Sequence, residues 1–324
     1  MMKYIAIFTL LLFLPQLALA NFEFISGDFK CSIESPYDEY AEIIYAMKSN
    51  DGIINVPSQV EYNGKTFKVG SFTNFAFVYL CDENGKVIEN EPIREINLPA
   101  TICSLNLNGT IIQLSDECER ITVVEENEYF CDVDGVLFTK DLGMLIVYPN
   151  SKRDEELKLP SSTKIIYDCA VNSKYLTKIT LNDGLEEIRY GGLATQGLTS
   201  IRIPKSVKKM EGFFVGGSVK DLFVCWEDPI YMDPNGYYPE VLYTQSTLYV
   251  PEGCREKYQK APYWNRYWNI EEYDVASVKE TVINEEIDKI FDLNGNTISI
   301  IKKAGIYILK YNNGIIKKVF LNPE

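Results

Sequence analysis

The chain of 324 residues contains no histidine. That absence removes Ser-His-Asp and Cys-His nucleophilic catalysis, imidazole general bases and the common histidine-containing zinc sites. No C-x-x-C occurs among its eight cysteines, which argues against a redox pair or a zinc knuckle. Positive charge is scarce: 32 Lys+Arg stand against 46 Asp+Glu, a net charge of −14. Such a surface repels phosphate backbones and anionic lipid, so nucleic acid and peripheral membrane are poor partners for it. Catalytic and cofactor motifs are missing as well. The expectation is a chain that is not an enzyme, holds no cofactor and binds no metal.

Long apolar runs are also rare. The one at the start, Tyr4 to Leu14, is well short of the roughly 20 residues that span a bilayer. With Lys3 before it and Ala18-Leu19-Ala20 after it, it reads as an export signal cut before Asn21. All eight cysteines lie beyond that cut. An even count in an exported chain permits disulfides. Their spacing follows no rule, however, and free thiols filling a repeat core are the favoured reading.

What is present is repetition. Between Leu157 and Val224 one short phrase recurs, as ELKLP, LTKITL, LTSIRIP and VKDLFV. The full series of apolar pairs is Ile96/Leu98, Ile121/Val123, Leu157/Leu159, Ile179/Leu181, Ile201/Ile203, Leu222/Val224 and Leu248/Val250. The steps between pairs are 25, 36, 22, 22, 21 and 26 residues. Periods of this size mark a solenoid, whose repeats bury apolar surface only by stacking on neighbours. Strand alternation sends both members of a pair inward and the residue between them outward. Proline follows the pair at Pro57, Pro99, Pro160, Pro204 and Pro251. Lacking an N–H, it belongs where a strand stops and the chain turns a corner.

Before the series, residues 21–92 read as an N-terminal cap with a first rung at Ile54-Asn55-Val56-Pro57, and Asn63-Gly64 is placed for a hairpin turn. Leu80 to Pro92 reads as an acidic loop. The 36-residue step holds Val136-Leu137-Phe138 and Met144-Leu145-Ile146-Val147 around Thr139 to Gly143, expected to form a β-hairpin bulging from the stack. Asp132-Val133-Asp134-Gly135 fits the turn that opens it.

The wording of this insertion, with "LP.S…I…A…..L..I.L" after it and TLYVPEGCREKYQKAPYWNRYWNI later, resembles the BspA-like leucine-rich repeat family. The resemblance covers roughly residues 50–273. It implies a right-handed leucine-rich-repeat solenoid of short parallel strands, closed by a last rung and a short terminal helix, in a secreted or cell-surface bacterial protein that binds other proteins in adhesion. The family's "AF..C..L" core is reduced here to Ala170-Val171 and Leu193-Ala194, so the side of the coil carrying it is expected to be less regular. Residues 274–324 alternate apolar and polar residues, with turns at Asn294-Gly295 and Asn313-Gly314, which predicts a small antiparallel β domain. FDLNGN, KKAGIYIL and NGIIKKVFL resemble the sorting domains of type IX secretion cargo, which implies the secretion machinery as a partner. The expected organisation is signal 1–20, cap and first rung 21–92, solenoid with cap helix 93–273, and sorting-like domain 274–324.

The main binding candidate is the outward stripe Asn97, Thr122, Lys158, Thr180, Arg202, Phe223 and Tyr249, expected to form one continuous ladder. It grades from polar to basic and aromatic, and Arg and large aromatics dominate interface energetics. The expected ligand is a host or microbial protein. The alternative is a glycan-binding or carbohydrate-processing surface protein using Trp264, Tyr267 and Trp268, aromatics that more simply cap the open end of the core. A structural envelope component is the third reading. Asp292 to Asn296 begins like a calcium loop, but Lys303 stands where the bidentate carboxylate is needed, so a turn fits better. The acidic pairs Glu125-Glu126, Glu155-Glu156 and Glu186-Glu187 have no facing wall for glycosidase chemistry and read as a solvated edge. Ile230 to Gln245, rich in tyrosine, is either a recognition loop or packing for the last rung. The oligomeric state has no signature in the sequence.

Overall fold

A strand of three or four residues cannot stand alone, and these strands survive by lying on one another. The computed structural model describes residues 21–88, 91–105, 111–212, 214–232, 240–275, 287–291, 297–298, 305–311 and 316–321. The expected signal segment lies outside the described residues.

The chain opens with β1 (Phe22–Ser26), β2 (Phe29–Ile33), β3 (Tyr40–Ala46), β4 (Ile53–Asn55), β5 (Gln59–Tyr62) and β6 (Lys65–Phe72). Five of these form a cap sheet in the order β1-β2-β3-β6-β5. Asn63 and Gly64, both at positive φ, make the tight turn joining β5 to β6. The two edges of the sheet lean together, where Ser26 accepts the Glu61 N–H and Phe24 stacks on Tyr62 at 4.6 Å.

The coil begins at β4 and continues through β7 (Glu95–Leu98), β8 (Arg120–Val123), β9 (Phe130–Val133), β10 (Val136–Thr139), β11 (Met144–Val147), β12 (Glu156–Lys158), β13 (Ile165–Ile166), β14 (Lys178–Thr180) and β15 (Glu187–Ile188). It ends with β16 (Ser200–Ile203), β17 (Lys209–Met210), β18 (Asp221–Val224), helix α1 (Glu240–Gln245), β19 (Thr247–Pro251), helix α2 (Arg255–Lys260), a 3-10 turn (Trp264–Arg266) and β20 (Asn269–Tyr273). The result is a β-solenoid of about eight turns with mostly parallel strands and very little helix. Its rungs are β4, β7, β8, β12, β14, β16, β18 and β19. Ile54 lies beside Ile96 and Ile121, Leu157 beside Ile179, and Ile201 beside Leu222 and Leu248. Every inward residue of the series is buried except Val123, which is half-buried. At Pro99, Pro160, Pro204 and Pro251 the proline carbonyl accepts the N–H three residues on, closing the corner.

Each turn also carries a second strand. β13, β15 and β17 stack in parallel, with Ile166, Ile188 and Met210 inward. The Ala170-Val171 and Leu193-Ala194 side is more regular than its reduced motif promised: Val171 bridges Tyr148, Leu193 bridges Val215, and all four are buried.

The insertion differs from expectation. β9, β10 and β11 form an antiparallel meander, and β11 pairs in parallel with β13, so the hairpin is built into the second sheet instead of bulging from it. It separates two cores. Val136, Phe138 and Leu145 pack with the C-terminal core, whereas Leu137, Ile146 and Val147 pack with the N-terminal one. A hairpin standing off in solvent would have one polar face; this one is apolar on both because both are covered.

The C-terminal unit contains β21 (Ile287–Phe291), β22 (Thr297–Ile298), β23 (Gly305–Tyr311) and β24 (Ile316–Leu321), antiparallel in the order β22-β21-β23-β24. The expected turns at Asn294-Gly295 and Asn313-Gly314, and the segment Asp292 to Asn296, lie outside the described residues.

Candidate functional site

The outward residues of the rungs do stand in register, in three groups instead of the one continuous ladder expected. Asn97 and Thr122 continue from Asn55 along β4-β7-β8, Lys158 lies beside Thr180 on β12-β14, and Arg202 beside Phe223 and Tyr249 on β16-β18-β19. The first interruption has a visible cause. The Val123 N–H donates to the Asp132 carboxylate at 2.9 Å, and the Ile121 N–H to the Gly135 carbonyl at 3.0 Å. The turn between β9 and β10 thus satisfies the edge of β8 that the next rung would have used.

The three groups differ in what they offer. In the first, the Asn97 amide donates to Asn55 Oδ1 at 2.9 Å and Thr122 Oγ1 donates to Asn97 Oδ1, so the side chains satisfy one another. In the second, the Glu156 carboxylate takes Lys178 Nζ at 2.9 Å and Thr180 Oγ1 at 3.2 Å. The Lys178 contact holds the Glu156 carboxyl below its ordinary range. Lys158 lies 3.8 Å from the same group.

The third group is apolar and cationic. Phe223 and Tyr249 stack face to face at 4.3 Å with planes 9° apart. Rings stacked along the ladder turn their edges to solvent, and ring edges carry the positive end of the quadrupole. Burial, and next the neighbouring Asp221 carboxylate, raise the Tyr249 phenol above its usual pKa. Arg202 sits beside Phe223 with a quarter of its side chain exposed, and its ion contact is Asp183 Oδ1 at 3.8 Å. Its Nε is buried without an acceptor. All three residues are half-buried, and Arg and aromatic residues are of the types that supply binding energy at interfaces.

The weaker candidate comes apart. Trp264 and Tyr267 are buried in the C-terminal core, and Trp268 alone of the three is exposed, at 79%. No aromatic platform is presented, because the open end of the core has taken its rings as a lid. Trp264 Nε1 donates to the Ile230 carbonyl at 2.9 Å, and Tyr258 to the Trp226 carbonyl at 2.7 Å. Part of the tyrosine-rich segment is likewise packing, since Leu242 and Tyr243 of α1 are buried. Residues 233–239 lie outside the described residues.

Of the acidic pairs, Glu186-Glu187 is engaged by cations on both residues. Glu186, 47% exposed, pairs with Lys164 and Lys208, and Glu187, 18% exposed, with Arg189 and Lys209. A shallow cleft of about 480 Å³ near Arg120 is lined by four cations and four carboxylates, so its charges offset one another. Among the described residues no group of three or more Cys, Asp or Glu is arranged to hold a metal ion.

One internal feature escaped the sequence reading. Ser151, Ser173, Thr195, Ser218 and Ser246 recur at steps of 22, 22, 23 and 28 residues, just before the strands. Each hydroxyl bonds backbone: Ser151 to the Asp116 carbonyl, Thr195 to that of Val171, Ser218 to those of Thr195 and Leu198, and Ser246 to that of Val219. Ser173 instead accepts the N–H groups of Tyr175 and Leu176. The 22-residue step was the available signal. Hydroxyls attract no notice in a search for apolar periodicity.

Rungs of apolar-x-apolar form, paired in parallel at steps of 21 to 42 residues, define a parallel β-solenoid. No protein-family model matches the chain and no curated protein does. Several solved structures are similar to it. A leucine-rich repeat protein from Eubacterium ventriosum ATCC 27560 is 17% identical, with 72% of this chain and 78% of that one covered and a TM-score of 0.45. One from Bacteroides ovatus ATCC 8483 is 15% identical over 78% of this chain and 67% of that one, with a TM-score of 0.38. A leucine-rich cell surface protein from Faecalibacterium prausnitzii A2-165 is 13% identical over 80% and 96%, with a TM-score of 0.27.

Proposed function

We propose that this is a non-enzymatic repeat protein, exported to the cell surface or beyond, that binds another protein through the solvent face of its rungs. The observation carrying this reading is the in-register group Arg202, Phe223 and Tyr249, a compact row of interface-forming residues on a rigid sheet. The acidic surface, Lys3 with the apolar run to Leu14, and the sorting-like wording of residues 274–324 fit an exported chain. In this reading the tail engages the secretion machinery and the rungs engage a host or microbial protein in adhesion. The rings stack on each other at 4.3 Å, which disfavours a glycan between them, and Trp268 is exposed without Trp264 or Tyr267 exposed beside it.

The test is to immobilise the full mature chain and probe it with host and microbial protein arrays beside a glycan array. A protein retained by the native chain and lost on Phe223→Ala or Tyr249→Ala, with the melting temperature held, is the expected result. Retention of sugars alone, abolished by Trp268→Ala, would overturn it in favour of glycan binding. No retention of either would leave the structural envelope role.

A further inference from the structure

We infer that the Arg202 end of the row is a carboxylate receptor, so that the bound segment is an extended polypeptide carrying an Asp or Glu side chain beside an apolar one; this rests on the protein-binding reading above. Arg120, Lys158 and Arg202 on the rungs each have one carboxylate at 3.8 Å, and of these three Arg202 has the least exposed side chain, 25% against 51% and 72%. Lys178 has a carboxylate oxygen at 2.9 Å and Lys209 has two at 2.8 Å, whereas Arg202 has one at 3.8 Å, from an Asp183 side chain that is 88% exposed. Its Nε is already out of water without an acceptor. A guanidinium in that state has lost much of its hydration and gained little in return, and a second carboxylate on its exposed side meets a stronger field than it would in bulk water. The planar fork suits two-point contact with a carboxylate.

The neighbours reinforce the choice. Phe223 lies beside Arg202 in register, and Tyr249 beside Phe223. Their partly positive edges favour carbonyl oxygens and apolar carbon, while Asp221 and Glu271 beside Tyr249 confine an added carboxylate to the Arg202 end. Charge on Asp183 competes with the ligand for the same guanidinium. Two substitutions therefore have opposite effects, which a merely structural Arg202 would not produce.

The experiment pans a random linear peptide library against the full mature chain and measures the selected peptides on variants. Peptides whose binding depends on Phe223 should carry Asp or Glu. Arg202→Gln and Arg202→Lys should each weaken them roughly tenfold or more, because neither offers the two-point fork. Asp183→Asn should tighten them a few-fold, and added salt should weaken them on every variant that keeps Arg202. Selected peptides that need Phe223 but carry no acid, or that ignore both Arg202→Gln and Asp183→Asn, would overturn the receptor and leave protein binding standing. Peptides indifferent to Phe223 and Tyr249 alike would overturn both. Melting curves for each variant separate loss of fold from loss of contact.

Discussion

At the scale of single residues, a chain without imidazole has few groups left to titrate near neutrality. The buried thiols move further away from it. Desolvation pushes Cys31 and Cys118 up to about 12. On the acid side, Lys152 holds the Asp134 carboxyl below its usual range, and Lys178 does the same for Glu156. A lowered folded-state pKa stabilises above the unfolded value, and that contribution is lost as pH falls through the folded one. We expect a melting temperature that is level from about pH 6 to pH 8 and falls below about pH 4, read by circular dichroism. A step between pH 6 and 7 would contradict it. The Asp134 and Glu156 carboxyls are close to the surface, so added salt should shrink the acid loss.

At the scale of elements, the meander closes one stack as it opens the next. Asp132 bonds the Val123 N–H and, through its other oxygen, the Gly135 N–H at 3.1 Å. Asp132→Ala strands a strand-edge donor and should cost about 1–3 kcal/mol in urea denaturation, whereas Asp132→Asn keeps an acceptor and should cost less. Equal losses for the two would mean that charge, and not the edge bond, matters. The same elements show what a sequence can disclose. The rung pairs and their proline corners were legible because period-two alternation and steric exclusion of proline leave marks in single residues. Asn63-Gly64 was legible for the same reason, through its φ requirement. The end lid was legible too, at Trp264 and Tyr267, since a repeat stack has to be closed. The meander's place was not: Val136-Leu137-Phe138 states that both faces are covered but not by what. Where β8 loses its next neighbour depends on the Asp132 contact, which joins residues nine apart through a side chain. Arg202, Phe223 and Tyr249 were named from alternation alone, whereas the poor service of Arg202 by Asp183 is a distance no pattern encodes.

For the whole molecule, the solenoid has two apolar cores and one partition with residues in each. Repeat arrays unfold according to the strength of their nearest-neighbour contacts. Leu137→Ala removes a fully buried side chain from the N-terminal core, for a loss of about 2–5 kcal/mol. Its effect should cross the partition, because β10 also supplies Val136 and Phe138 to the other core. Native-state hydrogen exchange should therefore show faster opening in β7 and in β14 alike. Protection lost from β4, β7 and β8 with β14 and β16 untouched would mean that the two cores open independently.

The partition also sets how such a molecule could change length in evolution. A turn duplicated between β12 and β19 would meet like surfaces above and below, and could be added or dropped while the first three rungs went on as before. The segment from Phe130 to Val147 has no such freedom. It fits two unlike neighbours at once, so it acts as a keystone in which a substitution has to suit both sides.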